Sequence, residues 1–170
     1  MIAEASMSAR PVAPAEPRLR VLEAILWGGL AVGVLDILDA FIVWGLRGVS
    51  PVRILQSIAA GLLGRASFQG GPPTALLGLV LHFFIATSAA TAYVLASLKL
   101  PVLIRKAVPC GMAYGVAFYF FMNYVVIPLS AINRTSGFSW PLFLNGIIGH
   151  ALLVGLPIAL FTRRAARPLD

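Results

Sequence analysis

Four apolar stretches, at 24–46, 74–98, 107–129 and 141–161, run for 23, 25, 23 and 21 residues. Their length constrains the fold more than any other feature. The hydrocarbon core of a bilayer is about 30 Å thick and takes about 20 helical residues at 1.5 Å each. Each stretch is long enough to cross. Helices are the open-ended structures that can do so, because every backbone N–H and C=O must be satisfied without water. Composition agrees: 59% of the residues are hydrophobic and 11% charged, where soluble domains carry roughly 25% charged residues. A small soluble domain leaves too much surface wet to hide such a sequence. The expected fold is all-α, a four-transmembrane-helix bundle.

Charge sets the expected orientation. Arg10, Arg18 and Arg20, Lys99, Arg105 and Lys106, and Arg163, Arg164 and Arg167 fall on one side, nine in all. Arg47, Arg53, Arg65 and Arg134 fall on the other, four in all. Positive charge marks the cytoplasmic face, so both termini are expected inside. The net charge of +7 therefore reads as lipid-facing charge beside the spans. No recognition helix or aromatic-basic stripe indicates nucleic acid. Cys110 is the single cysteine; it excludes an internal disulfide and reads as a small apolar filler.

Around the spans, residues 1–20 read as a mobile tail with spaced prolines, residues 21–163 as the membrane domain and residues 164–170 as a short second tail. Ser50-Pro51 is a helix start signal. Residues 51–64 are expected to form an amphipathic interfacial helix, with Leu55, Ile58, Ala59, Leu62 and Leu63 on its apolar face and Arg53, Gln56, Ser57 and Gly64 on the other. Phe68-Gln69-Gly70-Gly71-Pro72-Pro73 ends it. Asn133-Arg134-Thr135 matches a glycosylation acceptor by chance. Trp140 suits a membrane interface. No convincing repeat stands out.

The spans carry unexpected polarity. Asp36 and Asp39, His82, Asn123, and Asn145 and His150 occupy comparable depths in spans one to four, most of them roughly 9 to 15 Å from the outer boundary at 1.5 Å per residue. Small residues share their faces: Gly29, Gly33 and Ala40 with Asp36; Gly78, Ala86 and Ala90 with His82; Gly111 and Gly115, leading by fours through Tyr119, with Asn123; Gly146 with His150. Small residues favour close helix contact, so these faces are expected to point inward. An aspartate at the bilayer centre costs about 2.5 to 3.5 kcal/mol unless paired, protonated or wetted. No Lys or Arg lies within the spans to offset it; Arg47, Arg53 and Arg65 are the nearest cations on the outer side.

Such a cluster reads either as hydrogen bonding that fixes the bundle or as a functional site. Three functions follow: small-solute or proton-coupled transport through the Asp/His cluster; a non-catalytic subunit or assembly factor bound to a membrane partner or a second copy; and a metal or haem protein. Carboxylates and imidazoles at one level suit a divalent metal, and His82 with His150 suits axial haem ligation. No tight ligand motif accompanies either, and no cofactor is expected. No nucleophile elbow is present and no catalytic residue is assigned.

Gly61-Leu62-Leu63-Gly64, Phe68-Gln69-Gly70-Gly71, Leu81-His82-Phe83 and the run from Asn145 to His150 resemble segments of small four-span bacterial membrane proteins of unknown function. The resemblance covers roughly residues 24–161. It implies a bacterial inner membrane and supplies no activity to carry over.

Overall fold

The computed structural model describes residues 17–132 and 138–166, and every regular element among them is helical. The helices are α1 (Pro17–Gly45), α2 (Pro51–Leu63), α3 (Gly71–Lys99), the single turn α4 (Val102–Arg105), α5 (Ala107–Leu129) and α6 (Trp140–Ala165). Four are long and apolar enough to span a bilayer: Arg20–Gly45 within α1, and the whole of α3, α5 and α6. The chain is a four-span helical membrane protein with a short helix between the first two spans. Residues 1–16 of the expected 1–20 tail and the Asn133-Arg134-Thr135 triplet lie outside the described residues, while residues 17–20 of that tail are the first turn of α1.

Proline helps to explain where these helices begin and where they bend. Pro51, Pro72, Pro73, Pro109 and Pro141 stand in first turns, where the missing N–H has no partner to lose. Pro128 and Pro157 stand inside spans, where the ring clashes with the carbonyl four residues earlier. The helix widens ahead of each into a π turn, at Met122–Val126 and His150–Gly155. Around α2, Ser50 Oγ accepts from Arg53 N at 3.3 Å, capping the helix as the sequence predicts. Gly64 ends it at φ +62°, and Gly71 opens α3 at φ +60° after a 3-10 segment, Gly64–Gln69. Both angles suit glycine because it lacks Cβ.

The spans pair through glycine. A Cβ on Gly29 would lie 2.8 Å from Thr87 Cα, and the ring of Phe83 fills the space beside Gly33, so α1 and α3 meet closely. In the second pair, a Cβ on Gly111 would lie 2.7 Å from the Gly155 carbonyl oxygen, and one on Gly115 would overlap the His150 carbonyl. These are the small-residue contacts that hold helices together in lipid, where no hydrophobic force separates helix from solvent. α1 packs on α3 and α6, and α5 packs on α6, whereas α3 and α5 barely touch.

Packing is uneven along the bundle. At the termini end, Val32, Tyr93, Val154 and Ile158 are at most 2% exposed and form one core with Ala86, Ala89, Ala90 and Ala159. At the opposite end, which carries α2, the first ten residues of α6 (Trp140–Gly149) touch α5 but hardly α1 or α3. The spans splay there.

α2 packs differently from the sequence expectation. Its buried residues are Ile54, Gln56, Ala59 and Ala60, while Leu62 and Leu63 are exposed. A Cβ on Gly78 would strike the Leu55 carbonyl, so α2 lies tightly against α3. Gln56 Nε2 donates to the Gly71 carbonyl (3.1 Å) and Thr74 Oγ1 (3.3 Å), Ser67 Oγ donates to the Gln56 carbonyl (2.9 Å), and Thr74 Oγ1 to the Ser67 carbonyl (2.6 Å). The amide is buried because its hydrogen bonds are met inside. The Ala131 N–H donates to the Gly61 carbonyl at 2.8 Å, tying α2 to the end of α5.

Two glycines make a direct comparison. Gly115→Ala should abolish a monodisperse folded peak in detergent, because backbone has to move for its Cβ. Gly45→Ala, with nothing within 4 Å of the added carbon, should leave the melting temperature unchanged or raise it slightly, as a Gly-to-Ala change in a helix stabilises by about 0.5–1 kcal/mol.

Candidate functional site

Asp39 lies in α1 six residues beyond Gly33, where the spans have begun to separate. Its Oδ2 accepts a hydrogen bond from Asn145 Nδ2 of α6 at 3.0 Å. The same oxygen lies 3.6 Å from where a Cβ of Gly149 would stand. One turn of α6, from Asn145 to Gly149, therefore faces the carboxylate, and glycine leaves room for it. Both partners are half-buried.

Asp36 lies three residues nearer the termini end, half-buried, with no hydrogen bond or ion pair among the described residues. Two arginines of the α2 end, Arg47 and Arg53, have other partners. Arg47 Nη1 donates to the Val43 carbonyl at 2.7 Å, its guanidinium 5.9 Å from the Trp44 ring centre, and the Arg53 guanidinium stacks 4.4 Å from that of Phe68. What α1 presents to α6 is the Asp39 carboxylate, whose direct side-chain partner is an amide.

Each histidine has its printed side-chain neighbours inside its own helical hairpin. His82 is 9% exposed, and its Nε2 lies 2.8 Å from the Gly33 carbonyl. A carbonyl only accepts, so Nε2 carries the proton. Gly33 is three residues from Asp36 and six from Asp39, about 4.5 Å and 9 Å along the helix. That bond also occupies the nitrogen an axial haem ligand would use. His150 instead faces aromatic rings: Tyr119 edge-on at 5.3 Å and Phe118 at 6.4 Å between ring centres. Gly146, one turn earlier, makes the space that the Tyr119 ring fills. Asn123 is exposed, and its Nδ2 donates to the Tyr119 carbonyl of its own helix at 2.9 Å.

Of the six polar residues predicted from sequence, the structure thus joins Asp39 to Asn145, leaves Asp36 one turn away, and seats His82, His150 and Asn123 against other neighbours. Among the described residues, no three His, Cys, Asp or Glu side chains converge as a metal-ligand group. Two features escaped the sequence reading. The Gln56–Ser67–Thr74 network carries no sequence mark beyond polar residues in a loop. The π turns do have a signal, since each precedes a mid-span proline; Asn123 lies in one and His150 begins the other. π turns recur at functional sites.

Compared with protein-family models, with curated proteins and with solved structures, the chain matches none.

The amides separate experimentally. Asn145→Leu removes the Asp39 partner and should cost about 1 kcal/mol of stability, the usual scale for hydrogen bonds between transmembrane helices. Asn123→Leu removes only a bond within its own helix and should cost much less. Unfolding in mixed micelles reads both, and an equal loss would contradict the assignment of Asn145 as Asp39's partner.

Proposed function

We propose that this protein moves protons or a small cationic solute across a bacterial inner membrane, with the α1–α6 cleft around Asp36, Asp39 and Asn145 as its binding site. The observation that carries this reading is a carboxylate pair that no Lys or Arg of the described residues neutralises, placed where the helices splay. Intramembrane carboxylates mark ion and proton pathways because their insertion is otherwise costly.

The rest of the bundle supports it. The nine-to-four distribution of Lys and Arg supports a reading with both termini in the cytoplasm and the splayed α2 end facing outward. A cation then reaches the cleft from outside, while the packed core of Val32, Tyr93, Val154 and Ile158 closes the inner half. The π turns of α5 and α6 supply the points at which that closure rearranges. The resemblance to four-span bacterial proteins fits the same membrane.

Proteoliposomes containing the purified protein and an internal pH dye test the proposal, with an imposed gradient and small organic cations added in turn. The wild type should give protein-dependent flux, and the Asp36→Asn/Asp39→Asn variant should abolish it while keeping its elution volume and helicity. Flux of wild-type size in that variant, or none in the wild type across the cations tried, contradicts the proposal.

A further inference from the structure

A second cleft between α1 and α6 lies at the termini end, away from Asp39. Arg20, Glu23, Ala24 and Trp27 of α1 face Phe161 and Arg164 of α6 across it. The helices close beneath it at Gly28, whose Cβ would stand 3.8 Å from Phe161 Cβ and 3.9 Å from Ile158 Cα. Its depth in the membrane follows from the spans. Arg20 is the first residue of the first span, and Arg164 is next to Ala165, the last of the fourth. The two guanidiniums therefore stand at the layer where a bilayer carries its phosphates. Trp27 is seven residues farther in, about 10 Å along the helix, at the level of the glycerol esters and first chain carbons. It is exposed, and an indole suits that layer. Arg20, Glu23 and Trp27 are spaced by three and four residues, so they share one face of α1.

Charge decides what this cleft holds. Glu23 and Arg164 make no side-chain hydrogen bond or ion pair among the described residues, and neither does the Trp27 indole N–H. Charges of both signs thus line one cleft without being spent on each other. Arg20 is already engaged, and the five donors of a guanidinium allow it to take a further acceptor. Guanidinium groups match phosphate through paired N–H bonds. Glu23 narrows the choice of phosphate. A headgroup that is only an anion sets its charge against the Glu23 carboxylate. One that also carries a primary ammonium brings three N–H donors to that carboxylate, whereas a quaternary ammonium brings none.

We infer that the cleft binds a phospholipid whose headgroup joins a phosphodiester to a primary ammonium, the phosphatidylethanolamine class. Arg164 and Arg20 take the phosphate, Glu23 takes the ammonium, and Trp27 and Phe161 pack on the glycerol and upper chain carbons. The bound lipid ties the ends of α1 and α6 together on the side of the membrane opposite the Asp39–Asn145 contact. The site is separate from the transport cleft and stands whether or not that cleft carries a solute.

Trp27 itself supplies the test. With Trp44→Phe and Trp140→Phe it is the single tryptophan of the full chain. In phosphatidylcholine vesicles its emission is quenched by lipids brominated in the upper part of one acyl chain. Ethanolamine, glycerol and choline phospholipids so labelled are compared at equal mole fraction. The ethanolamine lipid should quench several-fold more strongly than the other two. Arg164→Gln should bring it to the choline level. Lys99→Gln, an equal loss of charge at an exposed position outside the cleft, should not. Glu23→Gln should erase the preference for ethanolamine over glycerol while both stay above choline. Each variant should keep its elution volume. Equal quenching by the three lipids overturns the proposal, as does an ethanolamine preference that survives both Arg164→Gln and Glu23→Gln. So does a shift of Trp27 emission by soluble phosphoethanolamine in detergent without any preference among the lipids, which assigns the cleft to a free phosphate ester.

Discussion

Close contact between helix backbones at glycine is the constraint on which the rest of this bundle depends. In a bilayer, helix surfaces gain nothing from escaping water, so association rests on packing and hydrogen bonds. Gly29 and Gly33 let α1 reach α3, and Gly111, Gly115 and Gly155 let α5 and α6 meet backbone to backbone. These contacts lie toward the termini end, where side chains from all four spans fill the core. Beyond Gly33 the glycine stripe of α1 gives way to Asp36 and Asp39. The bundle opens where its polarity begins, and Asp39 is aimed at a turn of α6 that carries an amide and a glycine.

The α2 end is stiffened by other means. α2 lies on α3 at Gly78, held by the Gln56, Ser67 and Thr74 hydrogen bonds and by its bond to Ala131 after α5. It braces the ends of two spans that scarcely touch each other. The second hairpin differs from the first in having a π turn in each helix, both traceable to proline. One hairpin is regular and carries the carboxylates, and the other is bent at two π turns.

Much of this was legible in the residues because lipid makes simple demands. Length and apolarity gave the four spans, Ser50-Pro51 gave the start of α2, and the small-residue faces pointed to Gly29, Gly33, Gly111 and Gly115, which do make the contacts. The partner of each polar side chain was not legible. Depth along separate helices says nothing of rotation between them, so the histidines turn into their own hairpins while Asp39 finds Asn145. Gln56 was placed on the wet face of α2 because amphipathicity assumes water opposite lipid, yet here the opposite surface is the start of α3, where the Gly71 carbonyl and Thr74 Oγ1 accept its amide protons.

The convergence of α1 and α6 at Asp39 can be measured directly in a cysteine-free background, Cys110→Ser. Asp39→Cys combined with Asn145→Cys should form a disulfide under mild oxidation in membranes, seen as an intramolecular cross-link after proteolysis between α1 and α6. Leu38→Cys with Asn145→Cys, one position round the helix toward lipid, should not. If the two pairs cross-link equally, or the Asp39 pair fails to do so, α1 does not present its carboxylate to α6 and the cleft described above does not exist.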